Sequence, residues 1–163
     1  FHSVFRAGQV SLEERPGASP VKGAVPIPVG PKILEEMQRG VLVYLQRFIG
    51  SWELSEAARI LGPSRGHRFA YSKDKSVVGD IYGFPDPTAR HKDLELWFDK
   101  ESKTLNSTFA YPWDMTVDEC RRLRGDNLSV VKKPDGTQLI MYRDRRVDIV
   151  ALENGQVVSM RVF

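Results

Sequence analysis

With 163 residues, 41% of them hydrophobic and 28% charged, the chain has an ordinary globular composition and enough length for one full core or two small ones. Its 24 basic and 21 acidic residues leave a net charge of +3, a surplus too small to imply a nucleic-acid partner. No apolar run approaches a membrane span, and the lone Cys120 excludes an intrachain disulfide and a multi-cysteine metal site.

Residues 1–31 carry Pro16, Pro20, Pro26, Pro28 and Pro31 with glycines between them, which forbids helix and most sheet pairing. The stretch reads as a proline-rich tether or extended arm, with Val21, Val25, Ile27 and Val29 apolar enough to lie on a domain surface. Phe1 stands where a start methionine would, so a removed leader, signal peptide or vector-derived start is expected. From Lys32 the apolar residues Ile33, Leu34, Met37, Val41, Leu42, Leu45 and Phe48 recur at helical spacing as far as Gly50. This predicts one helix, opened by Pro31, in which Gly40 is a mild cost or a close contact.

Gly50 to Pro63, GSWELSEAARILGP, has a second copy downstream in WDMTVDECRRLRGD. Glu56 and Glu119 are 63 positions apart, and so are Gly62 and Gly125. Each copy reads as a two-turn helix opened by a polar residue, Glu53 or Thr116, and closed by its glycine. Thr116 with Glu119 forms a capping box, whereas Glu53 is a weak cap for which Ser51 is a possible substitute. Such a short helix needs a partner for its apolar stripe, which is Ala57, Ile60 and Leu61 in one copy and Cys120 and Leu123 in the other.

Strand-like segments follow each helix. The first set is 67–71, 76–84, the alternating Leu94, Leu96 and Phe98, and 104–111. The second is 128–132, a Pro134-Asp135-Gly136 turn, 138–143, the alternating Val147, Ile149 and Ala151, an Asn154-Gly155 turn, and 157–163. The predicted fold is α+β, a tandem repeat of short helix plus antiparallel meander with helices packed on one face of a curved sheet. Its predicted units are the arm at 1–31, a first repeat with leading helix at 32–112 and a second repeat at 113–163.

The second copy, MTVDECRRLRG, PDGTQLIMY and VDIVALENGQVVSMRVF, resembles the SmpA/OmlA repeat of BamE-like outer-membrane lipoproteins, and the first is similar in ILGPS, FAY and LELWFDKESKTL. Two units in tandem also resemble the β-lactamase-inhibitor-protein architecture. The resemblance covers roughly residues 33–163 and implies a sheet whose concave face binds a partner protein. It departs from the family pattern at Trp52, Glu53 and Asn127, where the family has Met, Thr and Pro. No role in outer-membrane assembly carries over.

Side chains with chemical potential read as structural. His2, His67 and His91 share no ligand spacing, so no metal site is expected. Cys120 reads as a small buried hydrophobe, and Asp80, Asp86 and Asp93 as turn residues. No catalytic residue and no cofactor is predicted. Arg121, Arg122, Arg124, Arg143, Arg145 and Arg146 are interleaved with acids, as in a solvated, ion-paired surface.

The aromatic residues are more informative. If Leu94, Leu96 and Phe98 face the helices, Trp97 faces the other side of the sheet, where either the arm or a partner protein must cover it. Tyr82, Phe84, Phe109 and Tyr111 are expected to join it as a contact patch. The expected function is a non-enzymatic protein-binding module of the bacterial envelope, periplasmic or lipid-anchored at the outer membrane, contacting another envelope protein through the open sheet face. A small-ligand or lipid carrier is the alternative.

Overall fold

The computed structural model describes residues 29–163. The predicted arm therefore lies almost wholly outside the described residues. Among these the fold is α+β, with four α-helices and one antiparallel sheet of eight strands. The helices are α1 (Pro31–Arg39), α2 (Val41–Gln46), α3 (Leu54–Leu61) and α4 (Val117–Arg124). The strands are β1 (Gly66–Tyr71), β2 (Val77–Phe84), β3 (His91–Asp99), β4 (Leu105–Pro112), β5 (Ser129–Lys132), β6 (Gln138–Tyr142), β7 (Val147–Ala151) and β8 (Val157–Val162). Their order across the sheet is β1-β2-β3-β4-β8-β7-β6-β5, so β1 and β5 form the two edges.

The single helix expected from 32 to 50 is two. Gly40 adopts φ 164° and ψ 104°, outside the helical region, and its N–H bonds back to the Met37 carbonyl at 3.0 Å. A new helix then starts with Tyr44 N–H on the Gly40 carbonyl. Proline does stand in the first turn of α1. In α4, Thr116 accepts from the Glu119 N–H at 3.2 Å, the first half of the capping box. Glu53 caps α3 in the same extended geometry without any side-chain bond, and Ser51 donates to the Phe48 carbonyl instead of substituting for it. Gly62 and Gly125 close the two helices at φ 90° and φ 88°, where any Cβ is strained.

Residues paired across an antiparallel ladder point to the same side of the sheet, so the register sorts the strands into two faces. One face carries Phe84, Leu94, Leu96, Phe98, Ala110, Met160, Ile149 and Ile140. These share a buried cluster with Met37, Val41, Leu42, Tyr44 and Leu45 of the first two helices, Ala57 and Leu61 of α3, and Cys120 of α4. Leu123 is not part of it. Helix α4 sits on Val117 and Cys120, and at about 100° per residue Leu123 is turned some 120° from Val117, leaving it 69% exposed. The β3–β4 ladder shifts register at Lys92 (His91 pairs with Pro112, then Asp93 with Tyr111) and at Asn106 (Trp97 with Ser107, then Phe98 with Leu105), and the β7–β8 ladder shifts once, at Val158 (Val150 with Ser159, then Ala151 with Val157).

Candidate functional site

The other face of the sheet carries Arg68 and Ala70 of β1, Gly79 and Ile81 of β2, Glu95 and Trp97 of β3, and Ser107, Phe109 and Tyr111 of β4. Across the β4–β8 junction it continues through Arg161 and Ser159, Asp148 and Val150, Leu139 and Met141, to Ser129 and Val131. Trp97 thus lies on the side away from the clustered face, as alternation predicts. Its indole lies across Gly79, where a Cβ would overlap the indole Nε1. That Nε1 is buried without a hydrogen-bond partner among the described residues.

Two charge groupings structure this face. Arg68 donates to Glu95 Oε1 at 2.5 Å, and the Tyr111 hydroxyl donates to the same oxygen, so both charges are held well inside the surface. Arg161 projects from β8 beside three rings, 4.8 Å from the Phe163 centroid, 5.9 Å from Phe109 and 6.0 Å from Trp97. Its carboxylate partner Asp148 is 3.7 Å away. Burial pushes the Asp148 pKa up against the pull of Arg161 and Arg143, and burial pushes that of Arg161 down against Asp148. Both partners shift toward neutrality, because an ion pair this long does not offset desolvation.

Of the five predicted contact residues, the structure brings three together. Trp97 shares its face with Phe109 and Tyr111, but the latter two are each 1% exposed. Tyr82 and Phe84 are on the clustered face, because they pair with Leu96 and Leu94. Phe84 is wholly buried and Tyr82 packs against the core. Sequence reasoning missed Arg161 and the Arg68–Glu95 pair. The available signal was alternation: Glu95 stands two residues before Trp97 on β3, and Arg161 is the one charged residue of β8.

Side chains away from this face have structural partners. His67 is 2.6 Å from Asp80 and packs its ring against Phe69 and Tyr82. The buried Asp86 carboxylate accepts from Thr88 N–H and Oγ1 at 2.8 and 2.7 Å and from His91 N–H at 3.0 Å, with His91 Nδ1 at 2.8 Å. Cys120 donates toward Met115 Sδ, and burial pushes its thiol pKa up, away from nucleophilic reactivity. His2 lies outside the described residues. Arg124, Arg145 and Arg146 line an open cleft of about 440 Å³ together with Asp144, Leu42, Gln46 and Val162.

Exposed surface concentrates at the β5 edge. Ser129, Val130, Val131 and Lys132 are all exposed, whereas β1 at the opposite edge buries His67, Arg68 and Ala70. Comparison with protein-family models, curated proteins and solved structures finds no match.

Proposed function

We propose that this chain is a non-enzymatic protein-binding module, built as two copies of a helix-plus-meander unit whose helices pack on one face of the sheet, and that it binds an extended segment of a partner protein along β5. Four features support the duplication. Helices α3 and α4 start 63 residues apart, as do β1 and β5. The caps Glu53 and Thr116 share one extended geometry, and Gly62 and Gly125 share another. Leu105 N–H bonds the Trp52 carbonyl at 2.7 Å and Val157 N–H bonds the Met115 carbonyl at 2.8 Å, so each closing strand ties to the residue before its helix cap. Asn106 and Val158 interrupt the register at corresponding places.

The observation that carries the binding reading is that β5 is a terminal strand, exposed and with no further strand beside it among the described residues. One edge of β5 pairs with β6, the other ends the sheet, and Val130 and Val131 are exposed on its two sides. An added strand gains main-chain hydrogen bonds from such an edge and side-chain specificity from alternating positions. Lys132 and Lys133 at its end favour acidic residues in the partner. The bacterial-envelope location belongs to the same proposal and rests on the SmpA/OmlA resemblance.

Selection of extended peptides from a displayed library, followed by amide chemical-shift mapping, tests the proposal. Shifts confined to residues 128–142, abolished by the double substitution V130K/V131K and unaffected by Trp97→Ala, are expected. Shifts centred on residues 95–111 would return the contact to the Trp97 region. A small molecule retained in native mass spectrometry would favour the carrier reading instead.

A further inference from the structure

The connection from β6 to β7 brings charge to the edge of the main core. A 3₁₀ turn at Arg143–Arg145 and a left-handed Arg146, φ 56°, place Arg145 and Arg146 on the cleft of about 440 Å³, which Arg124 from the last turn of α4 also lines. Gln46 of α2 fixes that wall, its side-chain amide donating to the Arg145 and Arg146 carbonyls at 3.0 and 3.3 Å. The floor is apolar: Leu42, Val147 and Val162 are buried members of the main core, and Val43 beside them is 63% exposed. Other arginines are matched with carboxylates, Arg39 with Glu35, Arg47 with Glu36 and Arg68 with Glu95. The guanidinium groups of Arg124, Arg145 and Arg146 make no ion pair or hydrogen bond with a described residue. Asp144, the one acid among the described residues lining the cleft, takes its hydrogen bond from Asn127 Nδ2 at 3.3 Å instead. Arg146 lies 5.6 Å from the Phe163 ring centroid, a cation–π contact that occupies none of its N–H donors.

We propose that this cleft binds a small amphiphilic anion, a carboxylate or phosphate monoester carried on an alkyl chain of medium length. Three guanidinium groups against one carboxylate leave the cleft positive, and planar guanidinium forks match the oxygens of both headgroups. An inorganic anion would satisfy the arginines and leave the Leu42, Val147 and Val162 floor uncovered, whereas a neutral alkane would cover the floor and leave the arginines without an acceptor. An anion with an apolar tail meets both walls. The volume is that of a small-molecule site. A flat anionic lipid surface would meet Asp144 together with the arginines and would not reach the buried floor. The assignment is independent of strand addition at β5, none of whose residues lines the cleft.

Titration of the full-length chain with octanoate and with octyl phosphate, followed by methyl chemical shifts, tests it. Either anion should shift the methyl resonances of Leu42, Val43, Val147 and Val162, and the tighter of the two identifies the headgroup. Hexanoate should bind about tenfold more weakly than octanoate, since each methylene withdrawn from an apolar contact weakens binding about fourfold. The double substitution R124A/R145A, outside the core, should weaken binding at least about tenfold without lowering the thermal midpoint, and V130K/V131K should leave it unchanged. Octyltrimethylammonium, with the same tail and the opposite charge, should shift none of these methyls at about 10 mM. Three results would overturn the proposal: no shift with either anion at about 10 mM, equal shifts with the cation, or the same shifts with inorganic phosphate alone, which would reduce the site to a bare anion patch. Cosedimentation with phosphatidylglycerol vesicles in the absence of any shift from the soluble anions would assign the arginines to a membrane surface and overturn it as well.

Discussion

At Gly79 the sheet has no room for a methyl group. A Cβ there would overlap the Trp97 Nε1, which belongs to a movable ring, and the Phe98 carbonyl oxygen, which is backbone of the paired strand. The ring can swing away but the carbonyl moves only with β3, so Gly79→Ala should destabilise the protein by about 3 kcal/mol, the upper part of the overpacking range. Urea unfolding measures the loss, and Trp97 emission should shift to longer wavelength; a loss under about 0.5 kcal/mol, typical of a neutral surface site, would contradict the contact. Asp86 is the other residue on which local structure hinges, because it ties the connection from β2 to β3 to the start of β3. Burial alone would raise its pKa, but the bonds from His91 and Thr88 outweigh burial and hold it below the ordinary 3.8. A carboxyl depressed in the folded state stabilises above its unfolded pKa and loses that contribution as pH falls through the folded value. Asp86→Asn should therefore cost about 2 kcal/mol at pH 7, and the gap to wild type should narrow below pH 3.8. A gap independent of pH in urea titrations would exclude this linkage.

At the scale of elements, the two short helices offer a matched pair of substitutions. Their caps have nearly the same backbone, φ −99° and ψ 169° at Glu53 and φ −110° and ψ 160° at Thr116, but only Thr116 bonds the helix. Thr116→Ala should lose about 1 kcal/mol and Glu53→Ser should gain about 0.5 to 1 kcal/mol, both read from chemical denaturation midpoints. A Glu53→Ser protein no more stable than wild type would mean that the cap geometry is not shared. These helices were legible in the sequence because their signals are local, a cap, a Glu and a closing Gly. The break at Gly40 was not, since Met37, Val41, Leu42 and Leu45 stay buried on both sides of it and the apolar period runs on without a gap. Alternation within β3 likewise placed Trp97 correctly. Tyr82 and Phe84 were misplaced because their face depends on the β2–β3 register, which pairs them with Leu96 and Leu94 and is not encoded within either strand. Phe109 and Tyr111 were placed on the correct side, but their burial depends on what lies above the sheet, which strand periodicity does not reveal.

For the whole molecule, the decisive joint is the one between β4 and β8. Three residue pairs, Thr108 with Val162, Phe109 with Arg161 and Ala110 with Met160, link two four-stranded meanders into one sheet. A joint that short would let the halves melt separately if nothing else crossed it. Helix α2 does cross it, contacting both β4 and β8, and Gln46 at its end donates to the carbonyls of Arg145, Arg146 and Phe163. The buried cluster also runs without interruption from Leu94 and Ala110 on one side to Met160 and Ile149 on the other. The two halves should therefore unfold as one unit, with far-ultraviolet dichroism and tryptophan fluorescence giving coincident transitions. Leu45 in α2 is 0% exposed and belongs to the cluster spanning this joint, so Leu45→Ala should cost about 3 kcal/mol and lower a single midpoint equally in both probes. Fluorescence weights the first half, which holds Trp52 and Trp97, more heavily than dichroism does. A wild-type protein whose two curves separate would show that the meanders are independent domains, and a Leu45→Ala variant in which only one curve moves would show that α2 stabilises one half alone.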